Sequence, residues 1–406
     1  MFSFAGPASF VRMNRQQLED FQLIESKDKL DSFFTKNKSV EWLGFDTEFV
    51  GEKRFNTRLC LIQVASVHGN YLIDPFELSN VDPFLDLIEN PAIEKITHAG
   101  ENDYRLLHTD YQVVPQSIFD TQVAAGFAGY KYPVSIKKLV ETELNIPVNK
   151  AYTVTNWESR PFTAKQLKYA IDDVIPLFQL KTKLGKSLMA KGRLSWMKQE
   201  LSKWEQEDYY EKDPHKEALT SNLMSSLNKR ERVFLIRLME WRRNLASERN
   251  FSREMILSSK FLAPIVKSIK SGKASLLDNR RIPQRIIDDF GSLFEEMYRL
   301  PVTPEENRLL EQVVETGPEN KEEDLRIELL YLLLHKKCID EGISVNLVFP
   351  RSLLKRLRQE ADQVVEELKS DWRGKFIGEQ LLQWMLHYSG LDFEFNGHGV
   401  DIRLNI

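Results

Sequence analysis

The sequence predicts an α/β domain followed by two all-helical domains. Three observations carry this. Trp42–Val50 and the apolar run around Cys60, Leu59–Val64, are short, apolar segments that read as strands. Beyond Val174 the pattern turns helix-rich, with apolar positions at helical spacing among many charges. At 406 residues the chain is too long for one ordinary core and suggests two or three domains.

In chain order, the first informative element is Trp42–Val50. Its strand period sends Asp46 and Glu48 to one face. Alone, such a pair reads as a solvent-facing edge. Two carboxylates side by side repel unless a cation lies between them, and hard divalent ions take oxygen ligands of this kind. Ile96–Leu107 follows as a strand end, a small-residue turn and a helix start, with Asp103 in the first helical turn. There it is either a capping carboxylate or a group at the strand ends where α/β sheets hold ligands. Thr163–Val174 is a helix opened by a threonine cap, in which Tyr169 and Asp173, at i and i+4, share a face while Asp172 turns away as a surface or capping group.

Leu177–Tyr210 reads as one long helix leading to a linker at Asp213-Pro214. From Lys216 to about Arg299 several helices are expected, with Phe234, Leu238 and Trp241 on one face as core rather than a base-stacking platform. A second helical block runs from Pro304 to about Leu391 and includes Leu329–Lys337 and a closing segment, Phe376–Leu382. The tail, Val400–Ile406, alternates like a short strand.

Composition narrows the function classes. Two cysteines, Cys60 and Cys338, give neither a disulfide framework nor zinc spacing and fit a reducing compartment. Met1–Pro7 lacks the apolar core of a signal peptide, and no stretch approaches the ~18 apolar residues of a membrane helix. A soluble, cytoplasmic protein is expected. The net charge is −4, yet Lys216–Arg299 holds 17 Lys and Arg against 10 Asp and Glu, so +7 sits there and −11 in the remainder. Concentrated basic charge suits phosphate contact, although an interspersed, solvated helical face has the same composition.

The three carboxylate segments, in this order and with a tyrosine four residues before the last acid, resemble the DEDD superfamily of 3′–5′ exonucleases in its tyrosine-bearing subgroup, and more closely the ribonuclease D family. The motifs are Phe45-Asp46-Thr47-Glu48-Phe49, His98–Asp103, and Tyr169 with Asp173. Leu59–Val64, Leu72–Pro75, Phe119–Gln122 and Trp157–Pro161 add to the likeness, which is continuous over roughly the first half. Asn156 stands where relatives commonly carry an acid, and Arg54–Arg58 is unusually basic. Glu248–Asn250, Met255–Leu257 and Arg281–Pro283 resemble an HRDC domain, the helical accessory module of that family.

The resemblance implies an α/β ribonuclease H-like exonuclease domain with a mixed sheet over residues 1–212 and all-α HRDC-like domains over 213–300 and 301–406. It implies two divalent ions, magnesium or manganese, held by Asp46, Glu48, Asp103 and Asp173. Tyr169 would align the attacking water. Thr47, His98, Asn102, Trp157 and Arg160 are candidate substrate contacts, with His98 structural or substrate-binding rather than a metal ligand, since oxygen-rich sites for magnesium rarely use imidazole. The expected work is 3′–5′ removal of nucleoside monophosphates from RNA with a single-stranded 3′ end, transfer RNA precursors above all, by a monomer without a membrane partner. The rivals are a DNA exonuclease of the proofreading type and a catalytically silent RNA-binding protein.

Overall fold

In the computed structural model, which describes residues 21–148, 155–211, 213–313, 321–358, 360–387, 391–396 and 399–404, the sheet has six strands. These are β1 (Phe21–Ile24), β2 (Trp42–Val50), β3 (Arg58–Ser66), β4 (Gly69–Ile73), β5 (Glu94–Thr97) and β6 (Ile118–Asp120), in the spatial order β1-β4-β3-β2-β5-β6. Pairs β1/β4, β2/β5 and β5/β6 are parallel, while β2/β3 and β3/β4 are antiparallel, so the sheet is mixed as expected. The central strand is β2. It pairs with β5 only from Trp42 to Gly44, whereas on its other side β3 accompanies it to Val50. Residues 45–50 therefore run on past the carboxyl end of β5, where α/β sheets present ligand sites.

Among the described residues eight α-helices complete the α/β domain: α1 (Lys27–Asn37), α2 (Asp82–Glu89), α3 (Glu101–Tyr111), α4 (Thr121–Ala128), α5 (Ile136–Leu139), α6 (Ala164–Val174), α7 (Leu177–Ala190) and α8 (Leu194–Ser202). They cover both faces of β2. On one, Phe45 meets Phe84 of α2 and Tyr104 of α3 at ring-centroid distances of 5.7 and 5.5 Å. On the other, Gly44 lets α6 and α7 approach, since a Cβ there would stand 3.3 Å from Leu177 Cδ1 and 3.7 Å from the Val174 carbonyl. Asp46 and Glu48, two and four residues on from Gly44, share its face.

The long helix expected over Leu177–Tyr210 is instead broken. The chain leaves α7 through Gly192 at φ +66°, a left-handed turn that costs glycine little. The turn aims Arg193 into the interior, where it donates to the carbonyls of Phe127 (3.0 Å) and Gly342 (2.7 Å).

The first helical block is organised on the helix Lys229–Arg249, opened by a capping box between Asn228 and Glu231. Phe234 and Leu238 are buried there, and Trp241 packs on Phe290 and Phe294, the core role the periodicity assigned. Arg237 pairs with Glu306 and draws the helix Pro304–Glu311 onto this block, although the sequence reading placed residue 301 onward in the second block. Ionic demand inside the block takes several of its basic residues: Arg242 bonds Glu254 and Arg253 bonds Glu217.

The second block, from the helix Lys321–Glu341 to the helix Glu379–His387, shares a continuous core with the α/β domain. Trp372 packs on Phe127 at 4.6 Å. Buried Arg373 bonds Glu200 of α8 (2.9 Å), Asp371 (2.7 Å) and the carbonyls of Leu347 and Val348. The closing segment Phe376–Leu382 divides at Gly378 into two helices. The tail does form a strand, β8 (Gly399–Leu404), paired in a hairpin with β7 (Leu391–Asn396). Residues 1–20 and 405–406 lie outside the described residues.

Candidate active site

Three elements meet at the projecting end of β2. Asp46 and Glu48 stand on the α6 side. From the opposite side Asp103, in the first turn of α3, is buried and accepts a hydrogen bond from the Thr47 hydroxyl. That turn is fixed by Asp120 at the end of β6, fully buried, which accepts from Gly100 N (2.9 Å) and Thr97 Oγ1 (3.1 Å) and caps α4 through Gln122 N and Val123 N. From α6 come Asp173 and Tyr169, the phenol donating to the carboxylate one turn on. A full capping box, Thr163 with Gln166, sets the start of that helix. Asp172 is exposed and pairs with Lys168 (2.9 Å), the surface role read for it.

Electrostatics mark the cluster. Burial, then the charge of Asp103, raises Asp46 well above the carboxylate range. Glu48 is pushed up to about 9 by burial and by Asp46, Asp173 and Asp103. Asp173 rises to about 7, burial and Asp46 outweighing the Tyr169 hydrogen bond, and Asp103 rises too, chiefly by burial. Burial and the Asp173 charge also push the Tyr169 phenol up, so it stays protonated. Mutually repelling oxygen donors, Asp103 buried and Asp46, Glu48 and Asp173 half-buried, are a chemical match for hard divalent cations, whose charge would reverse each of these shifts. With like charges facing one another, two acids lean on neighbours, Asp103 on Thr47 and Asp173 on Tyr169. Among the described residues no group of three or more His, Cys, Asp or Glu side chains is gathered closely enough to hold a metal ion as it stands.

A pH dependence follows. Glu48 binds its proton more tightly folded than unfolded, so its contribution to stability is present below its ordinary value of 4.5 and is lost as pH rises towards about 9. In chelator, Glu48→Gln is expected to melt above wild type by a margin that grows to a few degrees across that window. Scanning calorimetry at stepped pH checks it; a constant margin would mean that Glu48 carries no shift.

The remaining candidates are placed differently. His98 is fixed by the protein at both nitrogens: Nε2 donates to the Val134 carbonyl (3.0 Å) and Nδ1 meets Thr121 Oγ1 (3.0 Å). Burial lowers its pKa, and the Thr121 hydroxyl beside it donates to the Thr97 carbonyl (2.9 Å). Asn102 is exposed beside Asp103. Trp157 is buried beneath the site, its ring 6.1 Å from those of Tyr169 and Phe162. Arg160 bonds Asp74, which is fully buried, through Nε and Nη2, and also donates to the carbonyls of Trp157, Ser159 and Cys60. All five of its N–H groups are thereby engaged. Arg160 and Trp157 shape the strap leading into α6 rather than offering donors to a phosphate. Asn156 takes part in the same strap, turning it through Glu158 N (3.0 Å), while Glu158 pairs with Arg54 and Arg58 of the basic β2–β3 stretch.

Residues 21–189 match a family model described as 3′–5′ exonuclease. The fold, the acid cluster and this match define that span as a 3′–5′ exonuclease domain. The wider chain is 26% identical over 375 residues to ribonuclease D of Bartonella henselae, covering 90% of each. It is 33% identical over 247 residues to ribonuclease D of Zymomonas mobilis, 60% of this chain and 63% of that one. The crystal structure of Escherichia coli RNase D, an exoribonuclease involved in structured RNA processing, superposes with a TM-score of 0.78 at 23% identity over 91% of this chain and 99% of that one. Over most of its length the chain is similar to ribonuclease D, the resemblance its motifs carry, and the order of α/β domain and helical region matches that fold.

Proposed function

We propose that this enzyme is a divalent-metal-dependent 3′–5′ exoribonuclease that removes nucleoside monophosphates from single-stranded 3′ ends, with transfer RNA precursors or other structured RNA as substrate. The observation that carries the reading is the meeting of Asp46, Glu48, Asp103 and Asp173 with Tyr169 at the end of β2, within a chain akin to ribonuclease D. Two ions, magnesium or manganese, would neutralise the phosphate, acidify the attacking water and steady the leaving 3′ oxygen. Asp46, Glu48 and Asp173 are assigned to one ion, Asp46 and Asp103 to the other. Tyr169, kept protonated with its hydrogen turned to Asp173, would accept a hydrogen bond from the water and set its line of approach.

The helical blocks are read as HRDC-like modules that narrow the entrance around a single strand. In support, block one bonds the β2–β3 loop beside the acids, Ser252 N to the Lys53 carbonyl (3.1 Å) and Asn56 N to Asn250 Oδ1 (3.1 Å). Among the described residues no helix is long and apolar enough to cross a membrane, and a cytoplasmic monomer is the setting we propose.

Digestion of one 3′-tailed hairpin, made as RNA and as DNA, tests the reading with magnesium, with manganese and with chelator. A metal-dependent ladder from the RNA tail that stops near the duplex is the expected result. Equal or faster loss from DNA would assign the proofreading class instead, and binding without shortening would leave a silent RNA-binding protein.

A further inference from the structure

Beside the acid cluster lies a polar side chain with nothing to bond. Gln63 on β3 is wholly buried, and neither its Oε1 nor its Nε2 has a hydrogen-bond partner. Glutamine is seldom buried, and a buried amide without partners is costly, so an orphan of both polarities points to a use the protein fold itself does not satisfy. Its position in the ladder says which. Gln63 is the register partner of Asp46, and directly opposed residues of an antiparallel pair project from the same face. That face is the one covered by α6, the helix of Tyr169 and Asp173. Two residues along, Leu61 opposes Glu48 and Ala65 opposes Gly44, so Gln63 is the one polar side chain that β3 contributes to this row.

We propose that Gln63 is a positioning residue for the acid cluster: through a water held by its amide it steadies the Asp46 carboxylate in the orientation that receives a divalent ion. An amide suits the task better than a charge. It donates to a carboxylate or water through Nε2 and accepts from a water through Oε1, while adding nothing to the repulsion among four acids. Partners behind first ligands are worth about 10–100-fold in metal affinity or activity. The inference rests on the metal-dependent reading above.

The test compares wild type, Gln63→Leu and Gln63→Asn in the full chain, by calorimetric titration with manganese and by exonuclease rate against manganese concentration. Leucine removes the orphaned amide at similar volume, so Gln63→Leu is expected to melt higher than wild type in chelator yet to bind manganese about tenfold or more weakly. Its rate should recover largely at raised manganese, and Gln63→Asn, which keeps an amide on a shorter arm, should fall between. A packing role alone would move the melting temperature and leave the titration unchanged, which would overturn the inference. Should Gln63→Leu misfold, Gln63→Asn still decides the question by its manganese affinity. Failure of the underlying reading is distinct: wild type itself would then show no metal-dependent cleavage.

Discussion

Asp46→Asn is expected to lower the single-turnover rate by about a thousandfold or more, on the scale of removing a principal electrostatic contact at a phosphoryl centre. The substitution keeps the shape of the side chain and removes its charge. Burial first and Asp103 next disfavour the Asp46 carboxylate. Its charge therefore costs stability that a bound cation would restore. The same variant should accordingly melt higher than wild type in chelator, lose most of the stabilisation that added manganese confers, and retain RNA binding within a few-fold. Three measurements separate the terms: quench-flow turnover, melting with and without manganese, and fluorescence anisotropy with a 3′-tailed RNA. A near-normal rate would remove Asp46 from the metal set. A lower melting temperature in chelator would show that its carboxylate makes native bonds outweighing its repulsion.

Much of this site was legible in the sequence, because its geometry is local. Strand period alone puts Asp46 and Glu48 on one face, and helical period alone pairs Tyr169 with Asp173 and turns Asp172 to the surface. The helical second half follows from the same helical period, whereas the mixed order of the sheet came with the family resemblance, since strand period does not fix the direction in which neighbours pair. What the sequence did not disclose depends on partners distant in the chain. Nothing around Gln63 says that its amide finds no partner beneath α6. The end of α7 was missed because the apolar period continues across Gly192, and only its left-handed backbone breaks the helix. The helix Pro304–Glu311 went to the wrong block because the Arg237–Glu306 pair spans 69 residues. Asp120, which ties α3 to the sheet by two hydrogen bonds, appeared in the sequence only as one residue of a similar stretch; its strand-end, pre-helix position was the available signal.

Arg160 is the plainest case of chemistry reassigned by distance. An arginine beside a conjectured phosphate site suggests a substrate clamp, and a clamp needs free donors. Here Asp74, fully buried 86 residues away, takes two N–H groups and three carbonyls take the rest, while the guanidinium lies over Phe162 (3.7 Å) and Phe76 (4.4 Å). Arg160→Met is therefore expected to cost about 3–5 kcal/mol in urea unfolding, since it leaves the Asp74 carboxylate buried without its cation. Arg160→Lys should recover little, because a point charge cannot reproduce the planar fork. Asp74→Asn should cost less than Arg160→Met, the amide being cheaper to bury than an unpaired charge. Activity should fall with the strap, because Trp157 reaches Tyr169 from the same few residues, and the fall should appear in kcat. A clamp on RNA would give the opposite pattern: unchanged unfolding, a raised KM and a reduced salt dependence of binding.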